Sequence, residues 1–188
     1  MPKFLRYAKK LPRVEKGLEK FMDSDYKVLD VTAGFRKFWR GKDTSQVLFL
    51  DIRKECKPDV VADNEHLPFR DNVFDVVFYD PPHIFKQGET YYRTQFGLLY
   101  YAFKTKHDFL KNLKNVNVEA SRVLKKDGKL IVKWSCEDEP KETLPLQTLI
   151  AYMRNFKLER IEEVKSRHHT GRFRVYLVTF VKESQKEN

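Results

Sequence analysis

The stretch that decides the fold is residues 74–83, which read FDVVFYDPPH. Apart from Asp75, its first six residues are apolar, β-branched or aromatic, a pattern typical of a buried strand. Two prolines follow Asp80. Because each proline fixes its own φ, lacks an N–H and disfavours helix in the preceding residue, the strand cannot continue. Asp80 therefore lies on a stiff turn at a strand's carboxyl end, where open α/β sheets bind ligands.

This turn offers mainly hydrogen-bond acceptors. The Asp80 carboxylate stands beside the carbonyl groups of Pro81 and Pro82, which have no N–H of their own. Such a row suits a substrate that donates hydrogens, such as an exocyclic amine. His83 supplies a flat ring next to these acceptors. The residues therefore predict a site for an amine-bearing group.

Three more strand patterns run into an aspartate. They span residues 26–31, 46–50 and 60–62, and the acids are Asp30, Asp51 and Asp63. Gly34 follows the first strand, in a turn where backbone approaches a cofactor closely. Asp51 lies about 20 positions after Asp30, the separation at which an acid accepts hydrogen bonds from ribose hydroxyls. These acids predict a nucleotide-type cofactor site.

The remaining chain alternates helix and strand patterns. Helices are predicted at residues 12–21, 109–124 and 144–155, a fifth strand at 129–134 after a turn at 125–128, and an antiparallel strand pair at 157–164 and 172–181. Alternation of this kind indicates a doubly wound α/β sheet.

Composition limits the class of protein. The 188 residues predict one domain, 1–188, and 37 Lys and Arg against 27 Asp and Glu give a net charge of +10, which favours nucleic acid as partner. Cys56 and Cys136 form neither a disulfide framework nor a metal pair. Without a long apolar run or a signal-peptide core, we expect a cytoplasmic protein that does not contact membranes.

Three basic segments are candidate nucleic-acid contacts: the N-terminal residues 1–20, a substrate-facing region at 84–107 and a loop at 166–172. Aromatic residues interleave with the basic ones in the second segment, and residues 1–20 fit a solvated face that covers the sheet edge equally well. In the second region, Lys86, Tyr91, Tyr92 and Arg93 are predicted to contact substrate. His168 and His169 are adjacent and would point apart, so no metal site is predicted.

Residues 80–83, Asp-Pro-Pro-His, resemble the (Asp/Asn/Ser)-Pro-Pro-aromatic motif of the amino-methyltransferases, which methylate adenine N6 or cytosine N4 with S-adenosylmethionine. The wider set of motifs resembles class I methyltransferases, and most closely a group of small methyltransferases common in phages. These motifs are residues 28–34, 49–53, 60–63, 67–69 and 130–134. The likeness covers roughly residues 26–182. It implies a Rossmann-like, doubly wound sheet of seven strands, mostly parallel with an antiparallel C-terminal strand.

The resemblance also implies the cofactor, S-adenosylmethionine, and the roles of site residues. The implied cofactor contacts are Asp30, Thr32, Ala33, Gly34, Asp51, Ile52, Asp63, Asn64 and Asp80. Among these, Asp63 would accept a hydrogen bond from the adenine amine. The implied catalytic residues are Asp80, Pro81, Pro82 and His83, and the substrate contacts are His83, Lys86, Tyr91, Tyr92, Arg93, Lys133 and Trp134.

The expected reaction is direct methyl transfer to an unstacked base. Asp80 and the Pro81 carbonyl would orient the amine, Asp80 would be able to receive its proton, and His83 would stack on the base. No cysteine follows the prolines, which disfavours cytosine C5 methylation. DNA is the first expectation and RNA adenine N6 the next. The basic, aromatic loop argues against protein glutamine methylation, whereas a homodimer and a module that binds without catalysis remain open.

Overall fold

The structure, a computed structural model, describes residues 27–85, 103–137, 143–164 and 173–183. Seven strands form one sheet: β1 (Val28–Asp30), β2 (Val47–Asp51), β3 (Val60–Val61), β4 (Phe74–Tyr79), β5 (Leu124–Glu137), β6 (Phe156–Val164) and β7 (Phe173–Lys182). The described residues also form the α-helices α1 (Lys106–Val123) and α2 (Leu146–Tyr152), and short 3-10 helices lie at Lys37–Trp39 and Lys54–Cys56.

The strand order is β3-β2-β1-β4-β5-β7-β6. Strands β1 to β5 pair in parallel, whereas β7 runs antiparallel to both β5 and β6. This confirms the seven-stranded, mostly parallel sheet with an antiparallel C-terminal strand. The order reverses between β1 and β4, so these two strands border the crevice in which open α/β sheets bind ligands.

The core lies between the sheet and α1. The apolar residues that recur at helical spacing in this helix are all buried: Phe109, Leu113, Val116, Ala120 and Val123. On β4, the alternate residues Val77 and Tyr79 are fully buried. Burying a large apolar side chain stabilises the fold by roughly 1.5–3 kcal/mol, so this face fixes α1 on the sheet.

Helix α1 begins three residues before the predicted start. The Thr105 side chain accepts a hydrogen bond from the Asp108 N–H, and the Asp108 side chain accepts one from the Thr105 N–H. This capping box satisfies N–H groups that the first helical turn leaves without partners. The apolar period begins only at Phe109, so the period alone placed the helix start too late.

The predicted turn at 125–128 is a bulge at the start of β5, not a separate connection. Register with β4 shifts between Phe74 and Val76, and Asp127 takes a φ of 60°. A Cβ on Gly128 would lie 2.9 Å from the Lys125 carbonyl oxygen, so a side chain there would displace backbone. Helix α2 is shorter than predicted and begins after Pro145.

Several predictions lie outside the described residues. They concern the helix at 12–21, the loop at 166–172, and the contacts of Lys86, Tyr91, Tyr92 and Arg93. On either side of residues 86–102, Phe85 and Phe103 form a parallel β-bridge. Across the described part of the chain, no helix is long and apolar enough to cross a membrane.

Candidate active site

The turn after β1 is hydrogen-bonded to both neighbouring strands. The Asp80 backbone N–H, after β4, donates to Thr32 Oγ1 at 2.7 Å. The Gly34 N–H donates to Asp51 Oδ2, at the end of β2, also at 2.7 Å. The order β2-β1-β4 brings these carboxyl ends to one edge of the sheet. The predicted residues Thr32, Gly34, Asp51 and Asp80 are therefore brought together.

Each carboxylate oxygen of Asp80 has its own donor. Lys133 Nζ lies 2.7 Å from Oδ2, and His83 Nε2 lies 3.0 Å from Oδ1. Burial raises the pKa of Asp80, but the contacts with His83 and Lys133 outweigh it, and the pKa lies below its usual range. Asp80 is thus ionised at neutral pH. It is a strong hydrogen-bond acceptor and a weak base.

His83 is held at both ring nitrogens. Its Nδ1 accepts the backbone N–H of Ser135 at 3.2 Å, and its Nε2 faces Asp80. Its ring meets the Trp134 indole edge-on, with centroids 5.9 Å apart and planes at 77°. The imidazole therefore forms a fixed part of the wall beside Asp80.

Asp51 forms a side-on ion pair with Arg53. Arg53 Nε lies 3.0 Å from Oδ1 and Nη2 lies 3.1 Å from Oδ2. Gly34 lies close to this guanidinium: its φ is +50°, and an added Cβ would lie 3.3 Å from Arg53 Nη2. The ribose contact of Asp51 stays a prediction, and ribose hydroxyls would share this carboxylate with Arg53.

Asp30 is buried and faces inward. Oδ1 accepts the Thr32 N–H at 2.9 Å, and Oδ2 accepts the Trp39 indole N–H at 2.7 Å. Burial raises the pKa of Asp30 to about 7, against the lowering effect of these two bonds and with help from the charges of Asp80 and Asp51. The side chain thus anchors the turn that follows β1. Its predicted cofactor contact stays a prediction.

The outer part of the edge carries three more of the predicted cofactor contacts, Ile52, Asp63 and Asn64. Ile52 is 57% exposed, and the Asp63 side chain is 45% exposed. The Asn64 side-chain oxygen accepts from Asn112 Nδ2 at 2.9 Å. Asn112, on α1, also bonds Glu65 and the buried Tyr79 hydroxyl. Helix α1 therefore fixes residues 63–65 in place. Ala33, the remaining predicted cofactor contact, is buried.

Trp134 does not occupy the position predicted for a substrate contact. It is fully buried, stacks on Phe109 at 5.4 Å, and donates its indole N–H to the Leu144 carbonyl. Successive residues of a strand point to opposite faces, so Lys133 reaches Asp80 while Trp134 enters the core. The prediction for Trp134 is wrong. Lys133 lies at the site, paired with Asp80.

Sequence reasoning missed three side-chain or backbone partners at this edge: Arg53, Trp39 and Ser135. Arg53 is only two residues from Asp51, and an arginine there is a signal that could have been read as an ion pair. Trp39 and Ser135 gave no signal in spacing or composition. Their contacts depend on how the turns fold back on the sheet.

Solved structures similar to this chain include methyltransferases. A geranyl diphosphate C-methyltransferase from Streptomyces coelicolor, solved with Mg²⁺, geranyl diphosphate and S-adenosyl-L-homocysteine, has a TM-score of 0.53 and 12% identity over 94% of this chain and 82% of that one. An S-adenosylmethionine-dependent methyltransferase from Methanosarcina mazei has a TM-score of 0.54 and 15% identity over 88% and 96%.

The 4+2 cyclase SpnF is also similar, with a TM-score of 0.57 and 14% identity over 90% of this chain and 80% of that one. No family model matches the chain. No curated protein matches it either. The chain thus has the Rossmann-like fold that these methyltransferases share, and the cyclase shows that this fold alone does not decide the reaction.

Proposed function

We propose that this protein is an S-adenosylmethionine-dependent methyltransferase that acts on the exocyclic amine of a nucleic-acid base, adenine N6 or cytosine N4, with DNA as the preferred polymer. The observation that carries the proposal is the ionised Asp80 carboxylate at the end of β4, held by Lys133 and His83. The resemblance of residues 80–83 to the amino-methyltransferase motif supports the same role for this carboxylate.

The residues at the neighbouring strand ends fit the cofactor. Gly34 has no Cβ, so a ligand can lie close to backbone there. Ile52 offers an exposed apolar side chain for a purine ring, and Asp63 offers an exposed carboxylate for its amine. Asp51 would accept the ribose hydroxyls in place of the Arg53 side chain, which bonds both of its oxygens. When bound, S-adenosylmethionine supplies an electrophilic methyl group on a sulfonium.

Asp80 suits a neutral amine with two hydrogens. An ionised carboxylate has about four acceptor sites, and Lys133 and His83 use two of them. An amine N–H donated to a remaining site would fix the direction of the nitrogen lone pair, which is catalysis by orientation. Methyl transfer makes the amine proton strongly acidic, so Asp80 would be able to accept it, and the low pKa of Asp80 would then release it to water.

The choice of nucleic acid rests on charge. A net charge of +10 favours a polyanion, since each neutralised phosphate releases counterions. The similar C-methyltransferase is named for a small diphosphate, so likeness of fold does not support a nucleic-acid substrate. Polymer identity therefore has to come from a transfer assay.

The assay supplies cofactor labelled in its methyl group with separate pools of duplex DNA, single-stranded DNA and RNA. We expect label in a nucleic-acid pool, DNA most strongly, and none with Asp80→Ala, whose cofactor dissociation constant should stay close to that of the unchanged protein. Label only in RNA would favour the RNA enzyme. Cofactor binding without transfer to any pool would overturn the proposal.

A further inference from the structure

We infer that His83 is a positioning residue for Asp80, held as the neutral Nε2–H tautomer by the Ser135 backbone, and not a ring that stacks on the substrate base. Its effect on catalysis rests on the proposed function. The tautomer itself is a property of the folded chain and is measured without substrate.

The tautomer follows from the donors. A backbone N–H can only donate, so the Nδ1 that receives the Ser135 N–H at 3.2 Å must present a lone pair. A neutral imidazole then carries its hydrogen on Nε2. That nitrogen lies 3.0 Å from Asp80 Oδ1, in position to donate to it.

Sheet geometry explains why Ser135 is available. Strand β4 ends at Tyr79, opposite Val132 of β5, while β5 continues to Glu137. After Val132, the β5 N–H groups that point towards β4 therefore have no β4 carbonyl to which they can donate. The two prolines turn the chain back, and the imidazole of His83 accepts the Ser135 N–H in place of a strand carbonyl.

The same contacts oppose a stacking role. The His83 side chain is only 16% exposed, and the buried Trp134 packs edge-on against it. Turning the ring towards a base would break both the Ser135 and the Asp80 contacts. Held in place, His83 fixes Oδ1 while Lys133 fixes Oδ2, so the carboxylate cannot rotate.

Two substitutions separate the roles. His83→Gln keeps an N–H donor near Oδ1 but removes the ring, whereas His83→Phe keeps a flat ring and removes the donor. If His83 positions Asp80, His83→Gln retains kcat within about fivefold and His83→Phe loses about 10- to 100-fold, with KM for nucleic acid and cofactor affinity unchanged. The reverse order, with His83→Phe active and His83→Gln impaired, would show stacking. Equal losses in both, with KM raised, would also contradict the inference.

Nitrogen NMR of protein with ¹⁵N-labelled histidine tests the tautomer directly at about pH 7.5. The chain has five histidines, and the signals absent from His83→Gln belong to His83. We expect an unprotonated Nδ1 and a protonated Nε2. An Nδ1–H tautomer would overturn the inference even if the enzyme were active. The expected tautomer in a protein that transfers no methyl group would leave the inference standing and remove the proposed function.

Discussion

Lys133 Nζ lies 2.7 Å from Asp80 Oδ2, so a lysine from the middle of β5 forms an ion pair with the carboxylate that follows β4. Both side chains are partly exposed at the sheet edge. At this position of a largely apolar sheet, a lysine would be a partly buried charge, and such a charge needs a partner. The ion pair with Asp80 provides that partner. It also keeps Asp80 ionised and fixes the direction of one of its oxygens.

Replacing Lys133 should move the acid limb of the pH–activity profile. Burial and the contact with His83 have the largest effects on the pKa of Asp80. The charge of Lys133 has a further effect, and it lowers that pKa. In Lys133→Met the pKa of Asp80 therefore rises, and activity that needs the carboxylate is lost at a higher pH as pH falls. Lys129→Met is the matched control, because Lys129 lies on the same strand and pairs with Glu159 instead. Coincident acid limbs in all three proteins would refute this role.

Asp51→Asn should weaken cofactor binding by about 10- to 100-fold, the usual effect of losing hydrogen bonds to a charged group. The substitution removes the negative charge and one of the two acceptor oxygens, which weakens the ribose contact and the Arg53 ion pair together. Binding is therefore measured by calorimetry well below the melting temperature. Asp43→Asn is the control, because Asp43 precedes β2 and caps the Ser45 N–H in solvent. An unchanged dissociation constant in Asp51→Asn would eliminate the ribose assignment.

Asp30 should make stability depend on pH. Its pKa is raised from 3.8 to about 7, so between these values the folded protein binds a proton that the unfolded chain has released. Stability should therefore fall as pH rises through this window. Asp30→Asn has no carboxyl group to titrate at this position. The melting temperature of Asp30→Asn minus that of the unchanged protein should therefore increase from about pH 5 to about pH 8. A difference that is the same at every pH would contradict the assigned pKa.

Asn112→Leu should destabilise the fold by about 2–4 kcal/mol, because it leaves a buried hydroxyl on Tyr79 and acceptors on Asn64 and Glu65 without this partner. Denaturant unfolding measures the loss. Lys111→Leu, an exposed position on the same helix, should change stability by less than about 0.5 kcal/mol. Similar losses in both variants would mean that the helix surface, not the Asn112 bonds, is responsible.

The sheet was predictable because its signals are local. Residues 74–79 carry a strand pattern and the prolines end it, and each earlier strand runs into an acid, so the carboxyl edge could be placed from the sequence. The partners of those acids were not predictable. Ser135 reaches His83 only because β5 extends past β4, and Trp39 reaches Asp30 only because the turn after Gly34 folds back. Lys133 and Trp134 are neighbours in sequence, and only the direction of β5 decides which one faces Asp80.

The most direct test of the proposed chemistry is to identify the methylated atom. Nucleic acid incubated with cofactor carrying a trideuterated methyl group is digested to nucleosides and analysed by mass spectrometry, with Asp80→Ala in parallel. The account predicts deuterated N6-methyladenine or N4-methylcytosine nucleosides, absent with Asp80→Ala. Label on cytosine C5, on a ribose hydroxyl or on no nucleoside at all, in a protein that binds the cofactor, would contradict an amine acceptor at Asp80.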